Sequence, residues 1–360
     1  MLFAMIKKFF LSLILICATV LTFAQGTINI YVSPDGTGDG TTAATPTTLT
    51  AALAQIEAAT VSEATNYKIN LADGTYAGDS VPIHQQLNKN ITIEAQSSSA
   101  IMGHDLVIFG GNRSTGTETL VIKGLIFDGA ILRCASGTEE AHTYIHNVTV
   151  DGCDFQNGTN WAIYFGPTQG RDYDVVIRNC SVSNNTTGFL NIMPTNLLVE
   201  NCQITNAPRV ANLTGGGNGY EIIFRNCTMT GITKYGIRTT STVTPPVTIE
   251  NCIMSSAEGC AGSDEGLVVL RGANGCTISH STLTAGASTS HTINVVHAAS
   301  NVDIKDTITV SGGTISETTV GSITGEISTS CIVLTNGATY GSLSNGNFVW
   351  NEVMGTWSLP

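Results

Sequence analysis

An eight-residue pattern keeps returning through the middle of the chain: Val148-Thr-Val-Asp-Gly-Cys-Asp-Phe155, Val175-Val-Ile-Arg-Asn-Cys-Ser-Val182, Leu197-Leu-Val-Glu-Asn-Cys-Gln-Ile204, Ile222-Ile-Phe-Arg-Asn-Cys-Thr-Met229 and Val247-Thr-Ile-Glu-Asn-Cys-Ile-Met254. Weaker copies begin at Leu120, Cys276 and Val302, and successive copies lie 22 to 29 residues apart. A period of that size marks a solenoid, in which each unit buries its apolar face only by stacking on the next. Within a copy the first and third residues are apolar, an Asn or Gly follows, and Cys-x-apolar closes the pattern. Two short strands joined by a bend satisfy it. A third strand follows a Gly/Asn-rich turn: Trp161-Ala-Ile-Tyr-Phe165, Gly188-Phe-Leu-Asn-Ile192, Arg209-Val-Ala-Asn-Leu213, Tyr235-Gly-Ile-Arg-Thr239, Gly266-Leu-Val-Val-Leu270 and His291-Thr-Ile-Asn-Val295. No segment between copies holds the helix that a leucine-rich or helical repeat needs. The sequence predicts an all-β solenoid with three strands per turn.

Composition agrees. Charged residues make up 12% of the chain, about half the usual share of about 25%, which excludes a helical bundle with Glu/Lys-rich faces. The formal net charge is −12. Nucleic acid is excluded as a partner, because phosphate binding needs clustered Lys and Arg to release counterions. An acidic polymer is repelled unless a local basic patch or bound cations bridge it. At the start, Lys7 and Lys8 precede an apolar run from Phe9 to Phe23, which reads as a secretory signal peptide over residues 1–25. A secreted chain is expected, periplasmic, extracellular or on the cell surface, with no membrane insertion.

The x-Asn-Cys-x-apolar repeats resemble the right-handed parallel β-helix, pectate-lyase-like superfamily of secreted bacterial proteins. So do the Gly-apolar-x-apolar strands, the leading segment Ile30-Tyr-Val-Ser-Pro-Asp-Gly-Thr-Gly-Asp-Gly40 and Ile69-Asn-Leu-Ala-Asp-Gly-Thr-Tyr76. The resemblance implies a single-stranded right-handed parallel β-helix over 26–335, leaving 336–360 as an irregular C-terminal segment or cap. It is specific for fold and weak for activity, since the superfamily hosts lyases, hydrolases, esterases, epimerases, phage spikes and adhesins. The paired aspartates of polygalacturonases, the calcium aspartates and Arg-Pro-x-x-Arg of pectate lyases, and the Asn-Gly-x-Glu of chondroitinase-type lyases are absent from the sequence.

Residues 47–59 form the one amphipathic helix in the sequence, with Leu49, Leu53 and Ile56 on one face and Thr47 or Thr48 as N-cap. Such a helix plugs the open first coil and blocks end-to-end association. Asn179, Asn201, Asn226 and Asn251 fall at one bend in consecutive turns and predict a stacked amide row that tolerates left-handed backbone. Cys153, Cys180, Cys202, Cys227 and Cys252 follow that bend and predict a buried column. Coils stack about 4.7–4.9 Å apart, too far between parallel Cβ atoms for disulfides, so free thiols are expected. A straight column cannot surround a metal ion tetrahedrally, and no metal site is expected.

The superfamily resemblance places a substrate groove along one sheet. Aligned by their Gly-apolar-x-apolar core, the third strands put Tyr164, Asn191, Asn212, Arg238, Val268 and Asn294 at one outward position, with Arg209, Lys234, Tyr235, Asp264, Glu265 and Arg271 nearby. This local excess of cations suits a uronic-acid polymer. Polysaccharide elimination needs carboxylate neutralisation, a base and an acid. Arg238 or Lys234 is the candidate base, Tyr164 or Tyr235 the candidate acid, and Asn191, Asn212, Arg209, Tyr235, Asn294 and Arg271 the candidate substrate-binding set. No cofactor is expected, calcium being the one ion compatible with this chemistry. The partner expected is an extracellular or cell-wall polysaccharide, bound by a monomer and cleaved by β-elimination in the catalytic form of the reading. The alternative is a non-catalytic surface, adhesin-like or scaffold β-helix.

Overall fold

The fifth residue of each octet decides where the chain turns. In the computed structural model, Gly124, Gly152, Asn179, Asn201, Asn226, Asn251 and His280 all have positive φ, between 49° and 69°. This is left-handed backbone, which glycine and asparagine adopt at least cost. The structure describes residues 26–110, 117–134, 146–165, 174–193, 196–214, 221–240, 246–256, 260, 266–271, 276–286, 292–296, 303–305, 308–312, 314–317, 332–335, 339–340, 349–351 and 356–358. The segment read as a signal peptide lies outside them, as do Asp264 and Glu265.

Between corners the described residues form three parallel sheets of eleven strands each. The first runs from Thr27–Val32 to Asp303–Lys305, the second from Gly74–Tyr76 to Ile332–Thr335, and the third from Val81–His84 to Thr339–Tyr340. Each strand pairs with its counterpart one coil away, so the octets align residue for residue: Val148 with Val175, then Leu197, Ile222 and Val247. Inward side chains therefore stack in rows. Phe127 lies on Phe155 with ring centroids 4.6 Å apart and planes 10° from parallel.

The helix spans Leu49–Ala58, with Thr48 as its N-cap, accepting from the Ala51 N–H at 3.2 Å. Leu49, Ala52, Leu53 and Ile56 are buried. Its C-terminal carbonyls meet Lys89, whose buried ammonium donates to Ile56 O at 2.7 Å, which also accepts from the Ala59 N–H, and to Glu57 O at 2.8 Å. A cation at a helix C-terminus satisfies both the orphan acceptors and the dipole. Burial lowers the Lys89 pKa, with Glu57 opposing the shift. At the far end Thr339–Tyr340 still adds to the third sheet, and Trp350 faces Trp357 across a separate two-stranded antiparallel pair.

The cysteine column is as the sequence predicts: Cys153, Cys180, Cys202, Cys227 and Cys252 are free and buried. Each sulfur lies within reach of two backbone carbonyls, as Cys227 does with Arg225 O at 3.2 Å and Val199 O at 3.6 Å. Burial also pushes Cys276 up to about 11.

The outer face of the first sheet holds a row that the octets contain and the repeat reading passed over. From Lys123 to Glu250 their fourth residues, with Glu94 in register one coil earlier, run Glu94, Lys123, Asp151, Arg178, Glu200, Arg225 and Glu250, alternating in sign coil by coil. Lys123 meets Glu94 at 2.9 Å, Arg178 meets Asp151 at 3.0 Å, and Arg225 meets Glu200 at 2.7 Å. Hydrogen bonds from Lys68 and Lys123 hold the Glu94 carboxyl below its ordinary pKa. Unlike charges one coil apart favour this register, and a one-coil slip would bring like charges together.

Two expected outcomes follow from the corners and the column. Asn226→Ala loses about 1–2 kcal/mol in denaturant unfolding, because alanine resists left-handed backbone, whereas Asn226→Gly retains most of the stability. Thiol titration of the folded protein with a membrane-permeable-sized aromatic disulfide gives slow reaction at the five column cysteines, and unfolding releases all five. Rapid native reaction, or a missing pair of thiols after unfolding, contradicts the buried reduced column.

Candidate functional site on the third sheet

Third-sheet strands do not alternate simply. From Trp161 to Phe165 the pattern is half-buried, buried, buried, half-buried, buried, so the first and fourth residues both face outward. Strand pairing turns these into two outer rows. One passes through Trp161, Gly188, Arg209, Tyr235 and Gly266. The other passes through Arg133, Tyr164, Asn191, Asn212, Arg238, Val269 and Asn294.

The second row matches the expected one with a single correction. Val269, not Val268, stands opposite Arg238; Val268 pairs with Ile237 inside the coil. Alignment on glycine caused the slip, because Gly266 is opposite Tyr235 and not Gly236. Leu267, Val268 and Val269 are all apolar, and only counting from the first residue of each strand puts Val269 fourth, level with Arg238.

The rows converge around Tyr235, which is 4% exposed and packs with Val269 and Trp161 as a small apolar cluster outside the solenoid core. The Arg238 guanidinium lies 4.2 Å from the centroid of the Tyr235 ring, and that of Arg209 lies 5.7 Å from it. Cations placed over an aromatic face at such distances are attracted by its quadrupole. Polar bonds fix them further. Arg238 Nε donates to Asn212 Oδ1 at 3.3 Å, Asn212 Nδ2 donates to Asn191 Oδ1 at 3.3 Å, and Arg209 donates to Thr187 O at 3.0 Å. Among the described residues neither Arg209 nor Arg238 makes an ion pair, whereas Arg178 and Arg225 on the first sheet both do.

The other candidates are spread more widely. Lys234 is exposed immediately before Tyr235. Tyr164 is half-buried and three coils from Arg238, a backbone distance of about 14 Å at the usual strand spacing. Arg271 is engaged through its backbone with the Thr239 hydroxyl, on both its N–H and its carbonyl. Asn294 holds the same register position beyond Val269, and its side chain lies outside what the structure describes.

Two residues escaped the sequence reading. Trp161 forms a half-buried lid over Gly188: a Cβ on that glycine would stand 2.5 Å from the indole. Two adjacent apolar residues between Trp161 and Tyr164 were the available signal. Arg133 stands in the second row one coil before Tyr164, paired with Asp105 at 3.4 Å, but its copy of the third strand is too short to recognise by pattern.

An open groove of about 500 Å³ lies at the first corner, lined by Glu200, Arg225, Asn226, Glu250, Asn251 and His280. Its charged residues belong to the alternating first-sheet row, and its asparagines to the corner. Among the described residues no three His, Cys, Asp or Glu side chains are grouped to hold a metal ion, and no helix is long and apolar enough to cross a membrane.

No curated protein matches the chain in sequence. The family described as right handed beta helix region matches residues 141–357, the stretch that contains the octets, their corners and the Arg209–Tyr235–Arg238 cluster. That match covers more than half of the 360 residues, and with the three parallel sheets already in place the chain belongs to the right-handed β-helix family.

Proposed function

We propose that the third sheet binds an acidic polysaccharide, and that it does so without cutting the chain. The observation that carries this reading is the pair of guanidinium groups on adjacent coils, Arg209 and Arg238, held against Tyr235 without a carboxylate partner among the described residues. A protein of net charge −12 that pairs its first-sheet arginines with acids leaves these two with donors to spare. Arginine presents a planar fork that matches a carboxylate. Trp161 supplies an apolar ring beside them, suited to the C–H face of a sugar. The amides of Asn191 and Asn212 continue the row with groups that accept and donate to hydroxyls.

Elimination has less support. Base and acid must each come within about 2.6–3.2 Å of the atoms they serve, and Tyr164 stands three coils from Arg238. Tyr235 is close enough but lies beneath the arginines, nearly closed to solvent. Direct contact between guanidinium and uronate also requires no bridging calcium. Secretion, carried by the residue 1–25 leader, fits a partner found in cell walls or extracellular matrix.

Calorimetric titration with polygalacturonate, with a neutral glucan as control, tests the reading. Wild type binds the polyuronate, binding weakens as salt rises because the exposed charges are screened, and a chelator leaves it unchanged. Arg209→Ala and Arg238→Ala each weaken it by about tenfold or more, since a charge-assisted hydrogen bond contributes about 1.5–3 kcal/mol. Unaltered affinity in both variants sinks the proposal. A growing ultraviolet absorbance from unsaturated uronate, lost in Arg238→Ala, would replace it with a lyase.

A further inference from the structure

The outer face of the second sheet differs from both others. Its strands read Ser-Val-Ser at 181–183, Gln-Ile-Thr at 203–205, Thr-Met-Thr at 228–230, Ile-Met-Ser at 253–255 and Thr-Leu-Thr at 282–284, followed by Ile-Thr-Val-Ser at 308–311 and Ile-Val-Leu-Thr at 332–335. From Ser181 to Thr284 the middle residues are buried, and the flanking ones form two outward rows, in register from coil to coil except between Thr230 and Ser255. From Ser181 onward neither row contains a charge or an aromatic ring. Ser and Thr fill most of the positions, and Ile253, 51% exposed, stands between Thr228 and Thr282.

We propose that this face binds ice. Threonine is a common strand residue, but strand preference alone does not explain the array, because the first sheet uses the equivalent surface for alternating charge. Parallel stacking spaces the rows at about 4.7–4.9 Å between coils and about 6.6–6.8 Å between alternate residues of one strand. That is a rectangular net on the scale of the oxygen repeats of ice. Threonine offers two things at each node: a methyl group, around which water orders as a cage, and a hydroxyl that can donate to and accept from lattice water. Thr228, Thr230, Thr282 and Thr284 make no side-chain hydrogen bond among the described residues, so these hydroxyls remain available to water. Charge decides the occupant. A neutral face matches a neutral lattice, an acidic glycan finds no cation here, and a neutral sugar finds no aromatic ring to stack on. One irregularity interrupts the net: the register shifts between Met229 and Ile232 around left-handed Gly231, dividing it into two blocks.

Microscopy of single ice crystals in solutions of the purified protein, with recrystallisation in frozen sucrose as a second readout, tests the inference. Wild type is expected to facet the crystals, open a gap between melting and growth, and keep grains small. Thr228→Lys and Thr282→Lys, made separately, lose these effects with the far-ultraviolet spectrum unchanged, while Thr248→Lys on the first sheet keeps them. Wild type that leaves crystals round and grains coarse overturns the inference, as does full activity in both second-sheet variants. Binding to crystalline cellulose or chitin without any effect on ice also overturns it, and assigns the face to a glycan surface instead.

Discussion

In-register parallel stacking, one coil hydrogen-bonded to the next along all three sheets, is the constraint from which the remaining features follow. It converts a position in the repeat into a row in space. Once Asn179, Asn201, Asn226 and Asn251 turn the chain at the same place with the same left-handed backbone, every residue at a fixed offset from the corner meets its counterpart one coil away. Rows of phenylalanine and aliphatic residues fill the interior, and rows of cysteine line the bend. A residue is then selected for what stands above and below it as much as for its own coil. Solenoids divide stability among nearest-neighbour interfaces in this way, and a mismatch in one coil is felt by two.

The outer surfaces show what the same rule does to polar residues. On the first sheet it sets Glu94, Lys123, Asp151, Arg178, Glu200, Arg225 and Glu250 in alternating order, so that cations are consumed by structure. Exposed pairs of this kind contribute only about 0.2–1 kcal/mol each, and their repetition matters more for register than for depth of stability. On the third sheet Arg209 and Arg238 stand beside Tyr235 and amides instead of acids. The contrast within one protein is what makes these two arginines candidates for recognition.

Much of this was legible before any coordinates. The octet gave the coil, its asparagines the corner, its cysteines the buried column, and Leu49, Leu53 and Ile56 the plug over the first coil. A second set of corner asparagines, Asn157, Asn184 and Asn206, also with positive φ, stands four residues after Cys153, Cys180 and Cys202, just outside the octet, and was read only as part of a Gly/Asn-rich turn. The charge row was invisible to a reading along the chain, since each of the five full octets shows a single charge at its fourth place and the alternation exists only between octets. Most of the expected outer row was legible too. Val268 was placed where Val269 stands because three successive apolar residues hide a one-residue offset. Trp161 was missed because the third strand turns two outward residues three apart, which a strict alternation does not anticipate.

A crystal structure of the protein soaked with an oligogalacturonate tests the central claim most directly, because it reads position and chemistry together. The account predicts a sugar chain on the outer third sheet, one carboxylate against the Arg209 and Arg238 guanidinium groups and a ring beside Trp161, with the glycosidic bonds intact. Sugar bound on another face, or an empty third sheet at saturating ligand, would contradict it.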